Sequence, residues 1–410
     1  MTTIQVFEYE RLKIGEKGFT SKHFEALAVF YEKQVTDEKE NFFNLEHNNV
    51  KFKQFVGVLK VGDLTIEVLP KIDKYANEDK KLWQNVLLQM LIRSRTIPIL
   101  PNNLAQLNAQ KYTLFEAFIQ LFLQEVEKIL ADGLVKKYRA KEGNLTALKG
   151  RLMFGQHLAQ NIVHQERFYT KHTTYDTQHL LHQIIAKTLR LIRQIGGERQ
   201  PNLARILFDF PEMPDVKVEE TTFERMVYGR NTERYRQAMY WSKMLLFNYY
   251  PDVQKGNKDL MAIMFDMNKL WEKFVLVEMQ KQLTDYKVIG QNAKQFWENK
   301  TVRPDILLQK ENKPILIVDT KWKIPKENSP SDEDLKQMFV YHLYFKVETT
   351  ILLYPDSGKN QPIQGNYQGD YNGKVLKMCY LAILDENGKG LKGDLNFREL
   401  LFEEKNPLMS

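Results

Sequence analysis

The chain has 410 residues, of which 43% are hydrophobic and 27% charged, and its formal net charge is +7. This balance is typical of a soluble protein with roughly two to four globular domains, and it excludes a disordered chain, a collagen-like fibre and a small disulfide-stabilised scaffold. The single cysteine, Cys379, cannot form an intrachain disulfide or a zinc site with several cysteines, which favours a reducing compartment. No signal peptide is visible, and no apolar run approaches the roughly 18 residues of a membrane helix. We therefore expect a cytoplasmic protein.

The sequence predicts an α+β protein with three regions. Residues 1–78 are predicted to form a β-rich N-terminal domain, in which Val61-Gly62-Asp63 joins two alternating strands by a tight turn. Residues 79–255 are predicted to be mainly helical, because four segments carry apolar residues three and four positions apart. These segments are NVLLQMLIRS, LFEAFIQLFLQEVEKILADGL, HLLHQIIAKTLRLIRQIGG and ERYRQAMYWSKMLLFNYY. Strand and helix patterns alternate again in residues 256–410, which are predicted to form a C-terminal α/β domain.

Positive charge is concentrated in the middle region. Eight basic residues against two acidic ones lie between Lys136 and Lys171, interleaved with four aromatic residues. This pattern suits contact with a partner or with a DNA phosphate backbone, where affinity comes from displaced counterions. Charge alone, however, favours the simpler interpretation of a solvated basic surface. His179 and His182 lie nearby, but without a supporting carboxylate or cysteine pattern we favour an ordinary helix surface over a zinc site.

The most informative segment is TVRPDILLQKENKPILIVDTKWK, residues 301–323. Two apolar runs flank the polar connection QKENKP, which predicts a β-hairpin. If the turn is centred on Asn312, Asp305 faces Asp319, because each lies seven residues from the centre, and both carboxylates fall on one face. Lys321 shares that face, since it follows Asp319 by two residues. A bulge would shift this register by one residue.

Two aspartates held this close repel each other, and a divalent cation removes that conflict. Mg²⁺ prefers oxygen ligands and often binds through one or two carboxylates together with substrate phosphates, so we predict an Mg²⁺ site, with Mn²⁺ as a substitute. Water on such an ion becomes nucleophilic near neutral pH, and Lys321 could orient that water or stabilise the transition state. The chemistry implied is hydrolysis of a phosphodiester. A single P-D or D-x-K motif is common by chance, so this interpretation depends on finding both at the ends of one hairpin.

A predicted helix ahead of the hairpin contributes a third acid. In FDMNKLWEKFVLVEMQKQL, Asp266 or Asn268 can cap a helix on which Glu272 shares a face with apolar residues. A carboxylate that points toward buried surface needs a partner, and a metal or a metal-bound water would serve. The alternative is a glutamate at the helix edge that reaches solvent.

A second predicted helix follows the hairpin, in SPSDEDLKQMFVYHLYF, with Ser331 as its expected N-cap. Gln337 and Tyr341 are four positions apart on it and could reach across the site to a phosphate. They could equally be an exposed polar pair.

Taken together, Glu272, the RPD motif with Asp305, Asp319-Thr320-Lys321, and the helix with Gln337 and Tyr341 resemble the PD-(D/E)xK nuclease superfamily. The resemblance implies a mixed sheet flanked by helices, Mg²⁺ bound by the two acidic residues, and assistance by the lysine. Within that superfamily the chain resembles the McrC family, the nuclease subunit of McrBC-type modification-dependent restriction systems. The segments that carry this resemblance are VGDLTIEVLPKI, LKGRLMFGQHLAQN, GRNTERYRQAM and FDMNKLWEKFV.

The resemblance also implies a partner. McrC-type proteins work with McrB, a hexameric AAA+ GTPase that recognises methylated cytosine and translocates double-stranded DNA, while the McrC-type subunit stimulates GTP hydrolysis and cuts. The chain itself has no G-x-x-x-x-G-K-[ST] phosphate loop, because GEKGFTSK at residues 15–22 lacks the required ending. A nucleotide-driven motor must therefore be a separate chain. By the resemblance, residues 1–250 would dock into the GTPase ring.

Two alternatives stay open at this point. The chain could be a stand-alone repair or structure-specific nuclease, which a neighbouring gene for a GTPase would argue against. It could also be a non-catalytic scaffold that activates an NTPase, although nothing structural requires an intact acid–acid–lysine set. A serine or cysteine hydrolase is not expected, because the sequence has no G-x-S-x-G motif and Cys379 lies in a strand-like run where a buried thiol is inert.

Overall fold

The protein is described by a computed structural model. The structure describes residues 2–72, 79–98, 112–196, 200–250, 259–323, 325, 329–356, 360–385, 387–388 and 390–402. It is an α+β protein, as predicted, and the chain divides into two compact units. One unit comprises Met1–Phe115 with Tyr250–Ser410, and the other comprises Glu116–Tyr249.

The strands in chain order are β1 (Thr2–Phe7), β2 (Arg11–Lys13), β3 (Phe43–Glu46), β4 (Asn49–Phe52), β5 (Phe55–Val61), β6 (Leu64–Leu69), β7 (Lys137–Leu145), β8 (Arg151–Leu152), β9 (Phe168–Asp176), β10 (Tyr249–Tyr250), β11 (Leu260–Asp266), β12 (Lys287–Gly290), β13 (Lys294–Trp297), β14 (Lys300–Val302), β15 (Ile306–Lys310), β16 (Lys313–Thr320), β17 (Thr349–Asp356), β18 (Ile363–Asn366) and β19 (Val375–Ala382). The α-helices are α1 (Ser21–Thr36), α2 (Lys80–Arg93), α3 (Leu114–Ala131), α4 (Phe154–Asn161), α5 (Leu180–Gln194), α6 (Leu203–Asp209), α7 (Glu220–Glu224), α8 (Arg236–Phe247), α9 (Met267–Gln282), α10 (Asp332–Phe345) and α11 (Phe397–Phe402). Short 3₁₀ turns lie at Glu233–Tyr235 and Gly369–Tyr371.

A five-stranded sheet of order β1-β6-β5-β11-β10 forms the N-terminal part of the first unit. β5 and β6 make the predicted hairpin, in which Val61 faces Leu64 across the turn. Every residue of these two strands is buried, because the core on one face contacts α1 and the small sheet β2-β4-β3 while α2 contacts β6. β11 comes from far along the chain and pairs antiparallel with β5. The predicted C-terminal region therefore shares a sheet with the predicted N-terminal one, and the proposed domain boundaries at 78 and 255 stay a prediction.

The C-terminal part of the first unit is built on a mixed six-stranded sheet of order β12-β15-β16-β17-β19-β18. β15 and β16 are antiparallel, whereas β16, β17 and β19 run parallel. Helix α9 contacts β12 and β16, and α10 contacts β17. The core beneath α10 includes Leu307, Ile317, Met338 and Leu352. The two helices and β16 thus bring together the segments in which the sequence predicts functional residues.

The predicted helix caps are present on both of these helices. The Asp266 side chain accepts hydrogen bonds from the backbone amides of Asn268 and Lys269, so Asp266 is the N-cap of α9. Ser331 caps α10 by accepting from the backbone amide of Asp334 at 3.1 Å. Each cap fixes the first turn of its helix.

The second unit combines helices with a small antiparallel sheet of order β7-β9-β8. Three of the four predicted helical segments correspond to α3 (within this unit from Glu116), α5 and α8, and the fourth corresponds to α2 of the first unit. The sheet, however, lies inside the stretch predicted to be mainly helical. Only Thr170 is buried along β7 and β9, so these strands lack the apolar alternation that would have predicted them.

Candidate active site

The β15–β16 hairpin places Asp305 and Asp319 opposite each other. Ile306 on β15 pairs with Val318 on β16. The residue before Ile306 is Asp305 and the residue after Val318 is Asp319, so the same register sets these two aspartates opposite each other. A register shift does occur, but it lies between Leu308 and Gln309, on the turn side of the hairpin. The predicted register therefore holds at the end of the hairpin that carries the two carboxylates.

Asp319 is the more buried of the two acids, with only 3% of its surface exposed. Burial raises the pKa of Asp319, and the negative charge of Asp305 raises it further, while Lys321 acts in the opposite direction. Asp305 uses one oxygen, Oδ2, to accept hydrogen bonds from the backbone amide and the hydroxyl of Thr320, both at 2.8 Å. The Oδ1 atom of Asp305 has no hydrogen-bond partner within the described residues. Asp319 belongs to β16, and the hydrogen bonds from Thr320 hold Asp305 against the same strand. The two carboxylates therefore stay close enough for their charges to repel.

Lys321 is the cation of this cluster. Its Nζ lies 2.9 Å from Oδ2 of Asp319 and 3.0 Å from Oδ1 of Asp334. Burial by itself would lower the pKa of Lys321, but the charges of Asp319 and Asp334 raise it above its ordinary value. The lysine is therefore a fixed positive charge near neutral pH.

Gln337 and Tyr341 form part of the same network, so they are not an exposed polar pair. Gln337 donates from Nε2 to Oδ1 of Asp319 at 3.2 Å and to the Tyr341 hydroxyl at 2.8 Å, and its Oε1 lies 3.4 Å from Nζ of Lys321. The Tyr341 hydroxyl donates in turn to the backbone carbonyl of Arg303 at 3.1 Å. Burial raises the pKa of Tyr341, so this hydroxyl keeps its proton at neutral pH. The chain of contacts connects α10 to Asp319 and to the segment just before Asp305.

Glu272 lies on α9 and is partly buried, as its position among apolar residues suggested. Its carboxylate accepts a hydrogen bond from Gln291, whose backbone amide donates to the carbonyl of Asp305 at 2.9 Å. Burial raises the pKa of Glu272, and the charge of Asp305 adds to the rise. Among the residues that the structure describes, no three or more His, Cys, Asp or Glu side chains form a group arranged to hold a metal ion.

Three residues of the cluster were not singled out from the sequence. Asp334 sits in the first turn of α10, where an acidic residue is expected for capping and helix-dipole reasons alone. Thr320 lies between Asp319 and Lys321 and contacts Asp305. Gln291 has a left-handed backbone conformation (φ 54°) that local sequence does not signal. Asp334 had the one usable signal, since it lies three residues after the predicted cap.

The segment that follows β16 and carries Lys321 is anchored to the N-terminal part of the same unit. Trp322 is 1% exposed, and its indole nitrogen donates to Oε1 of Glu8 at 2.5 Å. Glu8 also accepts from the backbone amide of Lys71 at 3.0 Å. The next residue, Lys323, lies with its Nζ 3.2 Å from the centre of the Tyr9 ring. The position of Lys321 is therefore fixed by its ion pair with Asp319 and by the next residue, Trp322, which is buried and bonded to Glu8.

Two further predictions have clear outcomes. Cys379 is buried, and burial raises the pKa of its thiol to about 11, which agrees with an inert cysteine. The prediction of an ordinary helix surface is wrong for His182, which is fully buried in the second unit and bonded to the Thr177 carbonyl and the Tyr235 hydroxyl. His179 is the N-cap of α5. The spacing of residues within this segment could not show that Tyr235, which comes from a distant segment, packs against His182 and buries it.

The basic stretch runs through the sheet β7-β9-β8 and helix α4 of the second unit. Arg139 and Lys141 pair with Asp176, and Lys171 lies 3.9 Å from Glu142. Part of the charge is therefore neutralised locally. Contact of this stretch with DNA or a partner stays a prediction.

The fold and the site define the class of protein: an α+β chain with an acid–acid–lysine cluster at the end of a hairpin in a mixed sheet. The sequence matches the model of the family "McrBC 5-methylcytosine restriction system component" over residues 50–355. The chain belongs to this family, which confirms the resemblance drawn from its motifs. The sequence matches none of the curated proteins with which it was compared.

Two solved structures share the fold. One is a refined half-complex from a tetradecameric assembly of Thermococcus gammatolerans McrB AAA+ hexamers with bound McrC; the TM-score is 0.74 at 19% identity, covering 96% of this chain and 97% of that chain. The other is a cryo-EM structure of the Thermococcus gammatolerans McrBC complex, with a TM-score of 0.51 at 20% identity, covering 70% of this chain and 89% of that one. In the described part of the chain, no helix combines the length and the apolar character needed to cross a membrane.

Proposed function

We propose that the chain is the nuclease subunit of a McrBC-type restriction complex in the cytoplasm, and that it hydrolyses phosphodiesters of DNA carrying modified cytosine. The observation that carries this proposal is the opposition of Asp305 and Asp319 with Lys321 bound to the more buried acid. Family membership supports the restriction system as the setting. The C-terminal mixed sheet with its two flanking helices fits the PD-(D/E)xK fold expected from the resemblance.

The residues present fit a divalent cation. Asp305 has an oxygen without a hydrogen-bond partner in the described residues, and the raised pKa of Asp319 reflects, after burial, a repulsion that a cation would relieve. We propose that Asp305 and Asp319 hold Mg²⁺, with Mn²⁺ as a substitute, and that Glu272 is an accessory acid nearby. A bound Mg²⁺ would neutralise phosphate charge and lower the pKa of water. Asp305, Asp319 and Glu272 do not by themselves form a group arranged to hold a metal ion. The substrate phosphate and water would therefore supply the remaining ligands of the Mg²⁺ ion.

The other residues of the cluster would position these groups. Lys321 keeps its positive charge between Asp319 and Asp334, where it can stabilise the additional negative charge of the transition state. Gln337 fixes the orientation of Asp319, and Tyr341 fixes Gln337 against the backbone next to Asp305. This rigid set costs little reorganisation when the reaction occurs.

We further propose that the chain acts with a McrB-like AAA+ GTPase hexamer and stimulates its GTPase. Support comes from the family and from the two structural relatives, in which McrC is bound to McrB. The experiment is to reconstitute the chain with the GTPase encoded beside it and to incubate the complex with Mg²⁺ and GTP on methylated and unmodified plasmid.

The expected result is cleavage of the methylated plasmid only, lost in Asp319→Ala and Lys321→Ala while GTPase stimulation persists. Lys313→Ala is the matched control and should cut normally, because Lys313 is exposed and begins β16 at the other end of the hairpin, next to the turn. Cleavage by the Asp319 and Lys321 variants would refute the catalytic assignment. Cleavage without the partner or GTP would favour a stand-alone nuclease, and GTPase stimulation without any cleavage would favour a scaffold.

A further inference from the structure

A small exposed ribbon lies immediately before the candidate catalytic residues. Within the part of the chain that the structure describes, strands β13 and β14 pair only with each other and form a two-stranded sheet outside the six-stranded one. All residues of the ribbon's strands are exposed except Val302, which is partly buried. Arg303 and Pro304 lead from its second strand directly to Asp305. The ribbon is thus continuous in sequence with the proposed metal site.

The base of the ribbon is fixed to α10, the helix that supplies Gln337 and Tyr341. Lys294 donates from Nζ to the carbonyl of Tyr344 at 3.1 Å and lies over the ring of Phe345 at 4.4 Å. The ring of Phe296 contacts that of Tyr344 with 5.1 Å between ring centres. These contacts hold one end of the ribbon against the site and leave its tip in solvent.

The tip carries a large aromatic side chain that the fold does not use. Trp297 is 63% exposed and has no ring contact within the described residues. The other four tryptophans, Trp83, Trp241, Trp271 and Trp322, are at most 1% exposed. An exposed indole keeps apolar surface in contact with water, which is unfavourable in free energy. A ligand that covers the ring would remove this surface from water.

The chemistry around Trp297 fits nucleic acid better than protein. Lys300 and Arg303 form no ion pair within the described residues, and one acid, Glu298, lies between the strands. Phe296, 46% exposed, adds aromatic surface next to Trp297, whereas the other exposed side chains of the ribbon are polar or charged. Aromatic rings set among cationic and polar side chains suit nucleic acid better than an apolar protein groove. Cationic groups on phosphates together with an aromatic ring on sugars and bases are the usual contacts of a nucleic-acid surface.

We propose that this ribbon, residues 294–302 with Arg303, binds the DNA duplex beside the phosphodiester to be cut. Trp297 packs against sugars and bases in a groove, and Lys300 and Arg303 contact phosphates. This inference rests on the proposed function, to which it adds the surface that positions the substrate.

Tryptophan fluorescence tests the proposal directly, because Trp297 is the exposed member of the five. The full-length chain is titrated in EDTA, which prevents metal-dependent cleavage, with a synthetic duplex of about three helical turns, methylated or unmodified. Binding is followed by the anisotropy of labelled DNA, and the exposure of Trp297 by acrylamide quenching. The expected result is a severalfold fall in quenching at saturating DNA, and a Trp297→Phe variant whose weak quenching does not change. Unchanged quenching of the wild-type chain at saturation, or no binding of the duplex, would overturn the proposal.

Variants separate the two kinds of contact. Trp297→Ala should weaken duplex binding about tenfold with an unchanged salt dependence, since it removes an apolar contact in the groove and no phosphate contact. Lys300→Ala should reduce the slope of log affinity against log salt by about 0.9, since it removes one phosphate contact. Lys313→Ala should change neither quantity. Wild-type affinity and salt slope in both ribbon variants would refute the ribbon's role.

Failure of this inference is distinguishable from failure of the proposed function. If the wild-type complex cuts DNA and Asp319→Ala does not, while the ribbon variants bind and cut normally, only the ribbon assignment is wrong. If no cleavage occurs but the duplex still protects Trp297, the nuclease assignment is wrong and the ribbon remains a DNA-binding surface.

Discussion

Lys321 is shared between two carboxylates, with Nζ 2.9 Å from Asp319 and 3.0 Å from Asp334. The second contact ties the lysine to the first turn of α10. The two contacts together hold the ammonium group beside Oδ2 of Asp319, where the proposed mechanism uses it.

Removing the second carboxylate should loosen Lys321 without removing its charge. We expect Asp334→Ala to slow single-turnover DNA cleavage by roughly two- to fivefold, because a partly exposed ion pair contributes at most about 1 kcal/mol. Asp332→Ala is the matched control, since Asp332 is also acidic, lies in the same helical turn and is exposed. Equal rates in the two variants would show that the Asp334 contact does not position the lysine.

Tyr341→Phe removes a hydroxyl that both accepts from Gln337 and donates to the carbonyl of Arg303. We expect this variant to lose about 1 kcal/mol of unfolding free energy, since it loses both hydrogen bonds that the buried Tyr341 hydroxyl makes. Urea denaturation measures the loss. Tyr371→Phe is the control, because the Tyr371 hydroxyl forms no hydrogen bond within the described residues. A Tyr341→Phe variant as stable as the control would mean that the network does not tighten this part of the fold.

Glu8 should make stability depend on pH. Its pKa is raised by burial from 4.5 to about 7, and its Oε2 atom is buried without a hydrogen-bond partner in the described residues. Between these two values the unfolded chain releases the proton while the folded chain retains it. The free energy of unfolding should therefore fall as the pH rises from about 4.5 to about 7, by at most about 3 kcal/mol, and then level off.

Glu8→Gln isolates this effect, because the amide cannot ionise yet can still accept from Trp322. We expect the wild type to be the more stable protein at low pH. As the pH rises, denaturation of both proteins should show this difference shrinking and then reversing in favour of Glu8→Gln. Parallel curves would contradict a raised pKa for Glu8.

Gly57 occupies a position where any side chain would collide with the neighbouring strand. Its φ is +137°, and an added Cβ would lie 2.2 Å from the carbonyl oxygen of Ile263 on β11. We expect Gly57→Ala to destabilise the protein by more than about 3 kcal/mol or to prevent folding. Gly365→Ala, where no atom of the described residues lies within 4 Å of the added Cβ, should leave the melting temperature nearly unchanged. Similar melting temperatures for the two variants would show that β5 and β11 can separate at low cost.

Much of the candidate site could be predicted from the sequence, because the positions of its residues depend on the periodicity of single strands and helices. The placement of Asp305 opposite Asp319 needed only the symmetry of one hairpin, and the bulge happened to fall nearer the turn. The inward orientation of Glu272 needed only helical spacing. The role of Asp334 was hidden because its position after Ser331 already had a sufficient local explanation, as a helix-capping residue.

Long-range pairing explains most of what the sequence could not predict. β11 completes a sheet with β5 because the two strands match in length and apolar character, which neither segment reveals alone. The sheet of β7 and β9 escaped prediction because its residues are mostly polar and show no apolar alternation. The hydrogen bond between Trp322 and Glu8 joins residues 314 positions apart in the sequence, so only tertiary packing determines it.

Asp305 and Asp319 are proposed to hold one divalent cation together, and the assignment of the site depends on this. Calorimetric titration of the full-length chain with Mn²⁺ tests it, compared with Asp305→Asn, Asp319→Asn and the control Asp332→Asn. We expect a saturating isotherm for the wild type and the control, and affinity at least about tenfold weaker in the other two variants. Equal Mn²⁺ binding in all four proteins, or no binding by the wild type, would contradict it.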